Sequence, residues 1–312
     1  MNRLLILAEH ADNYLSLIND AALPGLDVVA TTDPQQAMEQ VTSSNIILGE
    51  PALIEQILSS ASQLQWVQSS WAGVDRLCQP SLRTDYVLTG VKDIFGALIT
   101  EYVLTYLFAL ERNMFDIRED QSNKHWQPRS YRPAKDIRLG IIGLGSIGQH
   151  LAKTAADLGI RVTGLNRSGK PCEAVEKVYT VENLAGFLAE PDYLVLTLPD
   201  TPDTRHFINS DTLAMMNSST VLINVGRGSI VNENDLVSAL QRKQIAAAVL
   251  DVFETEPLPK ESLLWDLPNV YVTPHVAAAS FPQDVVEIFV ENYRRFSNAE
   301  QLLHLIDFER GY

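Results

Sequence analysis

Ile137-Arg-Leu-Gly-Ile-Ile142, followed at once by Gly143-Leu-Gly145-Ser-Ile-Gly148, is the stretch on which the reading of this 312-residue chain turns. An apolar run of strand length leads straight into G-x-G-x-x-G, and Gln149 to Leu158 continue as a helix. In that order the glycines have separate tasks. The first permits a tight turn, the second lets a pyrophosphate approach the backbone at a helix N-terminus, and the third lets helix and strand pack closely. The spacing alone is a weak signal, but strand, turn and helix in succession make it the opening of a dinucleotide-binding unit. Gly143, Gly145, Ser146, Ile147 and Gly148 are then the candidate cofactor contacts.

Working toward the C-terminus, apolar runs recur at 138–142, 161–165, 193–197, 221–224, 246–250 and 270–273, separated by helical stretches. Six strands alternating with helices predict a Rossmann sheet in an α/β protein. Toward the N-terminus a second, smaller alternation reads as strands at 4–8, 27–30, 45–48, 64–68 and 86–88, with one long amphipathic helix from about Ala97 to about Gln121. The final helix, 281–296, leads into a tail, 302–312, too short to be a domain. The simplest arrangement returns that tail to the first sheet. It makes residues 1–97 plus 282–312 a substrate-binding domain and 98–281 an inserted dinucleotide-binding domain, with a cleft expected where the chain crosses.

Three polar residues follow the later strands: Arg227 in Asn224-Val-Gly-Arg-Gly228, Glu256 in Asp251-Val-Phe-Glu-Thr-Glu-Pro257, and His275 in Thr273-Pro-His275. Strand ends are where open α/β sheets place ligands. A fixed cation can hold an anionic substrate, an imidazole can move a proton, and a carboxylate can orient that imidazole and favour its protonated form. Any one of them alone reads as a surface charge, a strand terminator or a satisfied core residue. Together, beside a nucleotide fold, they form a candidate catalytic set.

The second strand of the unit ends in Asn166-Arg167-Ser168, where an enzyme reading an unmodified adenosine ribose places an acid. Without that carboxylate, Arg167 and Ser168 suit a 2′-phosphate, which favours NADP over NAD, although Asn166 can also bond a plain 2′-hydroxyl. Leu198-Pro199 and Val225-Gly226 leave strand ends where they would line the nicotinamide side. Asp251 either faces the carboxamide there or caps the following turn.

The whole-chain properties narrow the classes. A net charge of -15 argues against nonspecific binding to nucleic acid or anionic membranes. Cys78 and Cys172 show no paired spacing and no Cys/His cluster, so neither a disulfide framework nor a structural metal is expected, and the cytoplasm is the natural compartment. The opening Met1 to Glu9 reads as a buried strand rather than a secretory signal, and the apolar helix from Tyr102 to Leu110 is far too short to span a bilayer. The other histidines, His10, His125, His150, His206 and His304, lack catalytic context and read as structural or surface residues.

With these motifs in view the chain resembles the D-isomer-specific 2-hydroxyacid dehydrogenases over nearly its full length. The resemblance is carried by LINVGRGSIVNEND (222–235), AVLDVFETEPLP (248–259) and TPHVAAAS (273–280). It is nearest to glyoxylate/hydroxypyruvate reductases that prefer NADPH, which share the turn at 166–168 and a tail like Ile306-Asp-Phe-Glu-Arg-Gly-Tyr312. It implies a flavodoxin-like substrate domain, a Rossmann coenzyme domain and a homodimer formed mainly through the latter. Arg227 would bind the 2-oxoacid carboxylate and polarise its keto oxygen, His275 would protonate that oxygen, and Glu256 would hold the imidazole.

The loop Ser70-Trp71-Ala72-Gly73-Val74-Asp75 resembles the family's substrate loop, whose small residues let backbone amides grip the carboxylate. Trp71 there either caps the pocket or packs for structural reasons. Trp126 reads as a junction residue that a partner subunit can carry to a neighbouring cleft. The expected activity is NADPH-dependent reduction of a small 2-oxoacid. The rivals are an NAD-dependent dehydrogenase of another D-2-hydroxyacid and a dinucleotide-sensing, corepressor-like scaffold, for which no peptide groove is evident.

Overall fold

The computed structural model describes residues 1–311, so Tyr312, the last residue of the tail quoted above, lies outside the described residues. The chain divides into two compact units, one of residues 1–94 with 280–311 and one of Phe95–Ala279.

The first unit is a five-stranded sheet of β1 (Asn2–Leu7), β2 (Leu26–Thr31), β3 (Ile46–Gly49), β4 (Trp66–Ser69) and β5 (Val87–Thr89). Every pairing is parallel and the order is β2-β1-β3-β4-β5, the flavodoxin-like arrangement. Helices α1 (Ala11–Asp20), α2 (Pro34–Val41) and α3 (Pro51–Ile57) supply the crossovers. Leu4 to Leu7, Ile46 to Leu48, and Trp66 with Val67 are buried, the near-continuous apolar runs expected of parallel strands covered on both faces.

The C-terminal helix Pro282–Ser297 completes this unit for a definite reason. Its Phe289 stacks on the fully buried Trp66 with ring centroids 5.1 Å apart, and Phe296 stacks on the same indole at 5.4 Å. Its buried Asn292 donates to Gln68 Oε1 (3.1 Å) and Leu303 O (3.2 Å) and accepts from Leu303 N (2.7 Å). The tail then runs alongside β5, where Ile306 N donates to Leu88 O and Gly90 N to His304 O. A buried amide with each end satisfied in this way fixes the register of helix and tail, since an unmet partner would cost about 1–3 kcal/mol.

The second unit is a seven-stranded parallel sheet: β6 (Arg138–Ile142), β7 (Arg161–Leu165), β8 (Lys177–Tyr179), β9 (Tyr193–Leu196), β10 (Val221–Asn224), β11 (Ala247–Leu250) and β12 (Val270–Val272). Its order, β12-β11-β10-β9-β6-β7-β8, reverses direction at β6, the switch point of a Rossmann sheet. One more strand is present than the sequence predicts. β8 is three residues long, and Lys177 is exposed at its start, so it carries no apolar run to detect.

The long helix expected over 97–121 is also two helices, α4 (Gly96–Glu111) and α5 (Met114–Ser122). Asn113 between them takes φ +53°, a left-handed conformation that ends the first helix and redirects the second. Further along lie α6 (Ser146–Asp157), α7 (Leu184–Leu188), α8 (Ser210–Ala214) and α9 (Glu233–Gln241).

The strand register positions the site. Ile142 of β6, Leu165 of β7, Leu196 of β9, Asn224 of β10, Leu250 of β11 and Val272 of β12 lie in one row across the sheet. The residues immediately after them, Gly143, Asn166, Thr197, Val225, Asp251 and Thr273, therefore leave the sheet along a single edge. Among the described residues, no helix is long and apolar enough to cross a membrane.

Candidate active site

Along that edge the turns are packed backbone against backbone. A Cβ on Gly143 would lie 2.9 Å from Thr197 Oγ1, one on Gly226 would lie 2.8 Å from Leu198 O, and one on Gly228 would lie 1.8 Å from Phe253 C. Each neighbouring pair of loops can approach this closely only because one side lacks a side chain. The glycine turn, the loop of Leu198-Pro199, the Arg227 turn and the Glu256 loop are thereby set side by side.

At the glycine turn, Gly143 takes φ +103°, a conformation costly for any other residue. Gly145 caps α6 without a side-chain hydrogen bond, and a Cβ built on it meets nothing within 4 Å. Open space therefore faces the first-turn amides of α6, as a pyrophosphate requires. Gly148 is needed against the turn itself, since its Cβ would fall 2.1 Å from Gly143 O. Thr197, missed in the sequence, clamps the turn by donating to Gly143 O at 2.6 Å.

At the end of β7, Asn166 is committed to its own turn. Its Oδ1 accepts from Gly169 N (2.6 Å) and its Nδ2 donates to Lys170 O (3.1 Å). This turn exposes the side chains of Arg167, Ser168 and Lys170. These residues fit a dinucleotide with a 2′-phosphate: backbone amides and space at Gly145, a cation and a hydroxyl at the adenosine end.

Arg227 follows β10 in extended conformation and its Nη1 donates to Gly226 O at 2.7 Å. The buried Asn224 fixes the turn beneath it, donating from Nδ2 to Arg227 O (2.9 Å) and accepting at Oδ1 from Gly226 N (3.1 Å). Glu256 and His275 meet directly, with Glu256 Oε2 2.8 Å from His275 Nδ1. The other carboxylate oxygen accepts from Phe253 N at 2.9 Å.

Burial alone pushes the Glu256 carboxyl up, but the hydrogen bonds from His275 and Phe253 N and the charges of His275 and Arg227 outweigh it. The net shift is downward, so Glu256 is ionised at neutral pH. Nδ1 faces the carboxylate, and Nε2 is the ring nitrogen on the side of the imidazole away from Glu256.

His275 occupies a left-handed backbone conformation, φ +54°, and Asp251 holds it there. The backbone oxygen of Asp251 accepts from His275 N (2.9 Å). Its Oδ1 accepts from Val276 N (2.9 Å) and Thr273 Oγ1 (2.5 Å), and its Oδ2 from Ala277 N (2.9 Å). Thr273 Oγ1 in turn lies 2.6 Å from Tyr102 Oη on α4. The Asp251 carboxylate thus caps the turn that carries His275, a turn more than twenty residues further along the chain than the one directly after Asp251. Among the described residues no cluster of three or more His, Cys, Asp or Glu could hold a metal.

In the first unit, the loop after β4 places Trp71 and Ala72 at the surface and anchors Val74 in the core. Ser69, also missed in the sequence, pins Trp71 at both backbone ends, accepting from its N (3.0 Å) and donating to its O (2.7 Å).

An open parallel sheet with a phosphate-ready glycine turn at one strand end and an imidazole–carboxylate pair beside an arginine at others is the layout of a nicotinamide-dependent oxidoreductase. The profile of the NAD-binding domain of D-isomer specific 2-hydroxyacid dehydrogenases matches residues 104–277. The chain belongs to that family. It is 31% identical over 265 residues to glyoxylate/hydroxypyruvate reductase A of Yersinia enterocolitica, covering 83% of this chain and 85% of the relative.

Among solved structures, a D-isomer specific 2-hydroxyacid dehydrogenase family protein of Aeromonas salmonicida superposes with a TM-score of 0.95 at 41% identity, over 98% of this chain and 99% of the other. The NADPH-dependent glyoxylate/hydroxypyruvate reductase of Sinorhizobium meliloti, in complex with NADP and sulfate, superposes with a TM-score of 0.89 at 31% identity over the whole of both chains.

Proposed function

We propose that this protein reduces small 2-oxoacids of the glyoxylate/hydroxypyruvate type to 2-hydroxyacids with NADPH. The observation that carries the proposal is the 2.8 Å His275–Glu256 pair on the same sheet edge as Arg227 and the glycine turn. The names of the Yersinia and Sinorhizobium relatives support the substrate class, and the Arg167-Ser168 turn supports NADP.

Arg227 holds the substrate carboxylate and polarises the keto oxygen through its forked guanidinium. The Trp71-Ala72-Gly73 backbone is assigned to the same carboxylate on the family resemblance. When bound, the dinucleotide supplies the hydride that the keto carbon accepts. His275 delivers a proton from Nε2 to the keto oxygen, giving the hydroxyl, and the neutral ring is reprotonated from solvent. Glu256 keeps Nδ1 protonated and the ring aimed, so that Nε2 is the donor throughout.

The test is a panel of 2-oxoacids assayed with NADPH and with NADH. Glyoxylate and hydroxypyruvate should give the highest kcat/KM, with NADPH preferred by about tenfold or more, the effect of one charge-assisted contact. A clear preference for NADH, or no turnover of any 2-oxoacid, refutes this reading; the second result would favour the scaffold.

The same reading places the protein in the cytoplasm as a homodimer joined through the dinucleotide unit. Met114, Phe115 and Ile117 of α5 are exposed, and so are Tyr131 and the almost fully exposed Trp126. Exposed apolar side chains in this part of the chain support that assembly. Sedimentation should give a dimer at micromolar concentration, and a single monomer-sized species would overturn the assembly.

A further inference from the structure

The turn that presents Glu256 is gripped by two residues that touch neither Glu256 nor His275. Glu254, two positions before Glu256, is held at both ends. Its backbone N donates to Glu233 Oε1, in the first turn of α9, at 2.7 Å. Its carboxylate Oε1 lies 2.8 Å from His206 Nε2. Between these points the chain runs so close to Gly228 that a Cβ there would overlap Phe253 C and lie 2.4 Å from Glu254 N. The Phe253 N–H, in turn, ends on Glu256 Oε1. Shifting Glu254 therefore shifts the amide that fixes the catalytic carboxylate.

His206 is one of ten left-handed residues other than glycine among those described. Its backbone is left-handed, φ +50°, a conformation in which glycine is the unstrained choice. It is anchored by donation from its N to Ser229 O (2.8 Å) and acceptance at its O from Asn209 Nδ2 (3.0 Å). This turn presents the ring with its Nε2 on the Glu254 carboxylate.

Both partners are about two-fifths exposed, so their attraction adds little to folding stability. What the contact supplies is position. Glu233 is half-buried, and its carboxyl is pushed up by burial, against the effect of the Glu254 N–H, with the charges of Glu254 and Glu256 acting in the same direction as burial. Three carboxylates thus share one corner, and His206 contacts that of Glu254.

We propose that His206 and Glu233 are positioning residues for the acid–base pair, clamping Glu254 by side chain and backbone so that Glu256 is held at hydrogen-bond distance from His275. The proposal rests on the assignment of Glu256 and His275 given above.

The experiment measures kcat, and KM for NADPH and glyoxylate, in His206→Gly, Glu233→Ala, His206→Gln and Glu233→Gln, alone and combined with Glu256→Gln. His206→Gly relieves the left-handed backbone, so it remains a folded test even if Glu233→Ala does not. Each disrupting substitution should lower kcat about tenfold, the scale of a sub-ångström misplacement, while KM for NADPH stays within about twofold. His206→Gln and Glu233→Gln, which retain a donor and an acceptor, should recover most of kcat. In the Glu256→Gln background neither disruption should lower kcat further, because there is no carboxylate left to position.

Wild-type kcat in His206→Gly and Glu233→Ala, with Glu256→Gln impaired, overturns the clamp and leaves the catalytic assignment standing. Full additivity with Glu256→Gln also overturns it. A Glu256→Gln enzyme with wild-type kcat removes the assignment of Glu256, and the clamp with it.

Discussion

Replacing His275 by alanine is expected to slow 2-oxoacid reduction by about 10²- to 10⁴-fold, the range for loss of a positioned general acid, while dinucleotide binding is unchanged. The expectation follows from the ring's geometry. One nitrogen is engaged by Glu256 at 2.8 Å, and the turn beneath is fixed by three bonds to the Asp251 carboxylate and one to its backbone oxygen.

Alanine also changes the backbone problem, since a left-handed residue without a supporting side chain costs about 1–2 kcal/mol. His275→Asn separates the two effects, because asparagine tolerates this conformation but cannot carry the proton. The asparagine enzyme should melt close to the wild type and still be slow. Near wild-type kcat in His275→Asn would show that the proton comes from elsewhere. Loss of activity only in the alanine enzyme, together with a lowered melting temperature, would assign His275 to structure.

The features legible in the sequence are those written in local period and local chemistry. The strand before Gly143, the glycines themselves and the polar residues after the later strands all sit within a few residues of the signal that betrays them. The three-residue β8 and the break at Asn113 escape because neither alters the surrounding hydrophobic pattern: one is too short to show a period, and the other is a single left-handed residue inside a helical run.

The devices that aim the candidate catalytic groups escape for a different reason. Asp251 acts on amides 25 and 26 residues away, Asn224 on the backbone of Arg227, and Ser69 on that of Trp71. Side chains that satisfy backbone groups have no periodicity. Only when β10, β11 and β12 are aligned by their register does it become visible that Asp251 lies under Thr273 to Ala277. The left-handed His275 and His206 belong to the same class, because nothing in Thr-Pro-His or Thr-Arg-His announces a conformation imposed by partners distant in the chain.

Arg227 yields the second large expected effect. Arg227→Ala should lower kcat/KM for glyoxylate by about 10³-fold, in line with removal of a donor that stabilises charge developing on the keto oxygen. Because the same fork is also proposed to bind the substrate carboxylate, both kcat and KM should worsen, unlike His275→Asn, whose loss should fall on kcat. Arg227→Lys is the discriminating variant. It keeps the charge but replaces a planar fork, braced against Gly226 O at 2.7 Å, with a single flexible ammonium.

If bidentate geometry matters, lysine should recover no more than about a tenth of wild-type kcat/KM; if charge alone matters, it should recover most of it. Arg227 also contributes to keeping Glu256 ionised, so the alanine variant weakens the acid–base pair as well as the substrate contact, and its loss should exceed that of a pure binding residue. An Arg227→Ala enzyme with kcat/KM within about twofold of the wild type would remove the arginine from the site, since neither substrate anchoring nor charge stabilisation is compatible with so small a change.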